Sequence, residues 1–148
     1  MKLIERSVIR AAPEKIWPFI ITPEQFQKWN DKIVSIGARE AFVLGQPFST
    51  CYEMSGHYSQ CLSVAVEIRP FRLLELKHKA VFNSKGRSNA EAVERITLVQ
   101  EGEVTVVTKT VLLRDHGIPF VFLPFIWFIA RFGKRQGEDK LKTMCEKA

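Results

Sequence analysis

The chain has 148 residues, of which 46% are hydrophobic and 26% charged. That length suits one ordinary domain, 1–148, with a sizeable core, and the composition excludes a disordered tail, a collagen-like chain and a disulfide mini-scaffold. Lys plus Arg number 22 against 16 Asp plus Glu, a net charge of +6 with pI near 9.4, but the excess is spread along the chain and supports no nucleic-acid interface.

Taken in order, Lys2–Arg10 is rich in Ile and Val and reads as a strand. Pro13 then suits the first position of a helix and Glu14 its first turn. Pro18 and Pro23 divide this region into two short helices, near 13–21 and 23–29, and Asn30-Asp31 marks the exit. From there the chain reads as strand and turn. Phe48, Thr50, Tyr52 and Met54 alternate onto one face. Leu62, Val64, Val66 and Ile68 share a face of the next strand, and Leu74, Leu76, His78 and Ala80 share a face of the one after. A polar loop over 83–89 follows, then two strands joined at Glu101-Gly102 by a tight hairpin. The end reads as one long helix from about Pro124 to Lys147. Its wheel carries a bulky stripe that includes Phe125, Phe128 and Phe132. A second stripe holds Ala130, Gly133, Gly137 and Leu141. Two glycines in a helix interior cost about 1 kcal/mol each against alanine. Either the helix backbone approaches the sheet closely or these small residues leave volume for a ligand.

Cys51, Cys61 and Cys145 are odd in number and lack metal-ligand spacing, so neither a disulfide framework nor a zinc site is expected, although a Cys51–Cys61 pair across a hairpin stays open. The first ten residues do not form a signal peptide, and the compact chain suggests a bacterial cytoplasmic protein. The apolar run 118–130 is shorter than the roughly 20 residues of a spanning helix and is broken by Pro119 and Pro124. Trp127 beside Arg131, Lys134 and Arg135 suits peripheral contact with a membrane surface, while a core plug or a contact between copies explains the same residues.

The element order and the stretch Ser7-Val-Ile-Arg-Ala-Ala-Pro-Glu-Lys-Ile-Trp-Pro-Phe-Ile20, with Pro23 and Trp29, resemble the START-like or Bet v 1-like (SRPBCC) superfamily. The closest branch is similar to the polyketide cyclase/dehydrase and lipid-transport group. The resemblance implies an α+β helix-grip fold, in which a curved antiparallel sheet wraps a long C-terminal helix over an apolar cavity. It implies a ligand such as a lipid, isoprenoid, quinone or polyketide, no cofactor or metal, and no particular catalytic residue.

His78 and Tyr52 are the polar residues best placed to orient such a ligand or to exchange protons with it. A satisfied core histidine and a backbone-bonded core tyrosine explain the same positions. Thr108 is expected to line the cavity with Phe128, Ala130, Gly133 and Gly137. Glu94 is expected in solvent, because an unpaired buried carboxylate is costly and alternation puts Lys109 on the opposite strand face. The expected function is binding or transport of a hydrophobic small molecule. A cyclase/dehydratase-like enzyme and a membrane-surface or protein-interaction module are the alternatives.

Overall fold

The computed structural model describes residues 2–30, 32–54, 57–83, 86–87, 90–114 and 139–147. Strand β1 (Lys2–Ile9) buries Leu3 and Ile9 and half-buries Ser7, while Glu5 stays exposed. The backbone carbonyl of Ala11 accepts from Thr105 Oγ1 at 2.7 Å, which holds the chain as it leaves the sheet. Helix α1 (Pro13–Ile21) starts at the proline, with Glu14 in its first turn, and buries Ile16, Trp17 and Ile20. Thr22 is extended, as a residue before proline must be, and Pro23 starts α2 (Pro23–Trp29). The Trp29 indole donates to the Phe19 carbonyl at 2.8 Å and fixes one helix against the other.

The remaining elements are β2 (Ile33–Ile36), β3 (Phe48–Met54), β4 (His57–Arg69), β5 (Leu73–Asn83), β6 (Gly86–Arg87), β7 (Glu91–Glu101), β8 (Val104–Arg114) and a C-terminal helix, α3 (Lys140–Lys147). All paired strands are antiparallel, in the order β1-β8-β7-β5-β4-β3-β2, with the short β6 on β5. Register shifts interrupt β4 against β5 at Gln60/Cys61 and Ala65/Glu67, and such bulges increase twist and bend the sheet. At the β7–β8 hairpin Glu101 faces Val104, and Gly102 takes φ +66°, a value that favours glycine at the first position of a II′ turn.

Helices α1, α2 and α3 close over one face of the sheet. The core there joins Ile16, Ile20 and Phe26 to Leu74, Ile96 and Leu141. On β4 Leu62 and Val66 are exposed, 54% and 43%, whereas Ser63 and Ala65 are buried, and past the register shift at Ala65/Glu67, Ile68 packs against the core, so the four residues of that alternation do not share one side of the sheet. The expected continuous C-terminal helix is corrected: it does not run through 139. Asp139 caps α3, its Oδ1 accepting from the Lys142 backbone N–H at 3.1 Å and its carbonyl from that of Thr143 at 3.0 Å. Ser7 Oγ donates to Asp139 Oδ2, and Glu146 Oε1 accepts from the Arg10 backbone N–H, so both ends of α3 are tied to the first strand and its exit. The residues expected to lead into this helix lie outside the described residues. The three cysteines are free, Cys51 and Cys145 being buried.

The cap predicts a measurable loss. Asp139→Ala is expected to lower unfolding free energy by about 1 kcal/mol, and Asp139→Asn by less, in urea titrations followed by circular dichroism. An unchanged Asp139→Ala midpoint would show that the cap does not hold α3.

Candidate functional site

Along each central strand the inward positions change character in the same sequence. On β5 they run Leu74, Leu76, His78, Ala80. On β7, which is antiparallel to it, they run Leu98, Ile96, Glu94, Ala92. Strand β8 gives Val107, Lys109, Val111, and β4 gives Ala65, Ser63, Cys61. Large apolar side chains therefore fill one end of the covered face. A band of polar residues crosses its middle. Small or modest side chains line the far end, where a cavity of about 110 Å³ opens against Leu3, Cys61, Ala80, Ala92, Val111 and Leu113.

The polar band takes residues from five neighbouring strands and from the end of α2. Thr50 Oγ1 and Ser63 Oγ are 2.9 Å apart, and Ser63 Oγ lies 2.6 Å from His78 Nδ1. His78 Nε2 lies 2.7 Å from the Tyr52 hydroxyl and 3.1 Å from Glu94 Oε1. Tyr52 donates to the same Oε1 at 3.2 Å. Glu94 Oε2 accepts from Asn30 Nδ2 at 3.0 Å and from Lys109 Nζ at 2.9 Å. That ammonium also sits 5.6 Å from the centroid of the Trp29 ring, a cation–π contact. The carboxylate can only accept, so the hydrogens are assigned outward from it. Tyr52 donates a hydrogen bond to Glu94, His78 shares its Nε2–H between Tyr52 and Glu94, and Ser63 Oγ and His78 Nδ1 share a hydrogen bond.

These contacts set the electrostatics. Burial alone would raise the Glu94 carboxyl's pKa, but the Lys109 ammonium and hydrogen bonds from His78 and Lys109 outweigh it and hold the group well below the usual carboxylate range. Burial, and then the neighbouring Glu94 charge, push the Tyr52 phenol well above its usual value of 10.0. The site at neutral pH therefore holds a carboxylate and a protonated phenol.

His78, 2% exposed, and Tyr52 both line the cavity. Thr108 does not join them. It is half-buried on the opposite face of β8, whereas Thr105, Val107 and Lys109 point inward. Alternation could not choose between two comparably apolar faces of that strand. Glu94 is 2% exposed rather than solvated, because Lys109, 8% exposed, reaches it diagonally from β8, where Ile96 faces Lys109. The sequence reading takes Asn30 only as a helix exit and does not single out Ser63. The available signal was the common position of polar residues along successive inward faces. Phe128, Ala130, Gly133 and Gly137, and the basic-aromatic group Trp127, Arg131, Lys134 and Arg135, lie outside the described residues.

No protein-family model and no curated protein matches the sequence. Solved structures match its fold. A protein of Chromobacterium violaceum is 15% identical with TM-score 0.71, covering 98% of this chain and 96% of its own. A START superfamily protein of Mycobacterium smegmatis is 12% identical with TM-score 0.68, covering 99% and 97%. Ara h 8.0201 is 16% identical with TM-score 0.66, covering 100% and 99%. The fold is thus the START/Bet v 1-like, helix-grip fold. Among the described residues no group of acidic, His and Cys side chains is arranged to hold a metal, and no helix is long and apolar enough to cross a membrane.

Two predictions follow from the ion pair. Lys109→Met leaves a buried carboxylate without its counter-charge and is expected to cost about 3–5 kcal/mol in chemical denaturation, most of it recovered in Lys109→Met with Glu94→Gln. Because the folded-state value of Glu94 lies below its usual 4.5, its charge stabilises the fold above that pH, and this contribution is lost as pH falls. Unfolding free energy should therefore drop more steeply below about pH 5 in the wild type than in Glu94→Gln. Parallel slopes would show that Glu94 is not held ionised by the fold.

Proposed function

We propose that the protein binds a hydrophobic small molecule in the cavity beyond the polar band, as a carrier or a receptor for it. One observation carries the reading: an apolar-walled cavity whose floor is a polar cluster in which, among the described residues, every buried side-chain nitrogen and oxygen has at least one hydrogen-bond partner. Ligand sites combine apolar burial with a few placed polar groups in this way. The similarity to a START superfamily protein and to Ara h 8.0201 supports it. A lipid, isoprenoid, quinone or polyketide-like compound falls within this class. The proposal treats 1–148 as a single ligand-binding domain.

Native mass spectrometry of protein purified without detergent should show a noncovalent adduct that organic solvent extracts. Ala92→Leu, which fills the cavity from β7, should lose the adduct with little change in the unfolding midpoint. A protein that stays empty and, once delipidated, binds no hydrophobic dye would refute the reading.

The 2.7 Å contact between Tyr52 and His78, both facing the cavity, favours a second reading, acid–base catalysis of the cyclase/dehydratase type. Similarity to DynU16, a protein of the dynemicin biosynthetic locus, supports it; the match has TM-score 0.57 at 15% identity and spans 50% of that chain. Such a site should speed hydrogen–deuterium exchange alpha to a bound ketone, and His78→Asn should abolish the effect while binding persists. Exchange at the uncatalysed rate would exclude this reading.

A further inference from the structure

The polar cluster has already used most of its hydrogen-bonding capacity on itself. Both oxygens of Glu94 accept twice, both nitrogens of His78 are engaged, and the Tyr52 hydrogen goes to Glu94. The hydrogens left over sit on two nitrogens. Lys109 Nζ carries three, of which Glu94 takes one and the Trp29 ring face a second. Asn30 Nδ2 carries two, of which Glu94 takes one. Among the described residues neither nitrogen has a further acceptor, both residues are more than nine-tenths buried, and both line the cavity. Each lies within 3.0 Å of the same oxygen, Glu94 Oε2, so the two donors are neighbours. What the site lacks is an acceptor.

Among the described residues the lysines and carboxylates at the cavity are equal in number. Besides Tyr52, Cys61 and His78, the described cavity wall carries two lysines, Lys32 and Lys109, and two carboxylates, Glu91 and Glu94, with Lys109 paired to Glu94. An anionic head entering beside Lys109 would face the Glu94 carboxylate and gain no new counter-charge, a costly burial. Size narrows the ligand further. The cavity of about 110 Å³ is on the scale of the engineered apolar cavity of about 150 Å³ that holds benzene in another protein.

We infer that Lys109, with Asn30 beside it, anchors an uncharged ligand by donating to a carbonyl oxygen on a buried head about the size of one ring. Tyr52 and His78, the residues the sequence nominated for contact, then act mainly by holding Glu94, which holds the Lys109 head. The inference rests on the cavity being a ligand site, and the experiment separates the two.

Three compounds of similar shape are titrated into delipidated wild-type protein by ligand-observed NMR: ethylbenzene, acetophenone and benzoate. Acetophenone, neutral with one carbonyl acceptor, should bind about tenfold or more tighter than ethylbenzene, the gain expected of a hydrogen bond to a charged donor. Benzoate should bind at least about tenfold more weakly than acetophenone. Lys109→Met with Glu94→Gln removes both charges and should bind acetophenone and ethylbenzene alike. The wild-type series decides the matter even if that variant fails to fold. Equal binding of ethylbenzene and acetophenone to wild type overturns the Lys109 anchor and leaves the cavity standing. Tightest binding by benzoate overturns the neutral-ligand assignment. If none of the three binds, the cavity reading fails and the inference fails with it.

Discussion

A carboxylate in the middle of a sheet's covered face must be compensated or it will not stay charged, and Glu94 sets the layout of everything around it. Four donors converge on its two oxygens from β3, β5, β8 and the end of α2. Each must arrive within about 3 Å, so strand register and helix placement are constrained together. A slip of one residue in β8 would turn Lys109 to the outside and leave Glu94 without its counter-ion. The pair is weak evidence for net stability, since an apolar replacement of both partners often does as well. Its clearer consequence is geometric: it holds an ammonium at the floor of the cavity.

The apolar side of the fold serves the same placement. Proline at the start of α1 and again at the start of α2 sets two short helices in place of one longer helix. Phe26 packs edge-on to Trp29 and Phe42, with ring centroids 4.8 and 5.6 Å apart, so the end of α2 is fixed over the sheet. That end delivers both Asn30 and the Trp29 ring to the polar band. Beyond the band Ala80 and Ala92 supply little bulk, and the space they leave is the cavity. Packed core, polar band and cavity follow one another along the same strands because the size of the inward residue changes along each of them.

Much of this architecture was legible in the chain. Pro13 and Pro23 marked the starts of two short helices, although Pro18 lies inside the first and does not end it, alternation placed Leu74, Leu76, His78 and Ala80 on one inward face, and Glu101-Gly102 marked the hairpin. The opening stretch through Trp17 pointed to the fold. The site was legible only in part. Alternation on β7 did put Glu94 with Ile96 and Leu98, but a lone carboxylate on an apolar face argues for solvent until its partner is known. On β8 both faces are similarly apolar, so Lys109 and Thr108 could not be told apart. On β4 the bulkier face, Leu62 and Val66, proved to be the exposed one, because the band and the cavity behind it called for Ser63 and Cys61.

What the sequence determined by itself is what depends on neighbours along the chain: proline positions, turn residues and the period of two within each strand. These are local properties of φ, ψ and side-chain alternation, and they suffice for the order of elements and the class of fold. Which face of a strand turns inward, and which charges meet there, is decided by register between strands far apart in sequence. Glu94 and Lys109 are adjacent only because β7 and β8 pair with Ile96 opposite Lys109, and Asn30 joins them only because α2 docks on the sheet. The energy of a buried charge depends on these three-dimensional neighbours, so tertiary structure alone turned Glu94 from an expected surface carboxylate into the centre of the site.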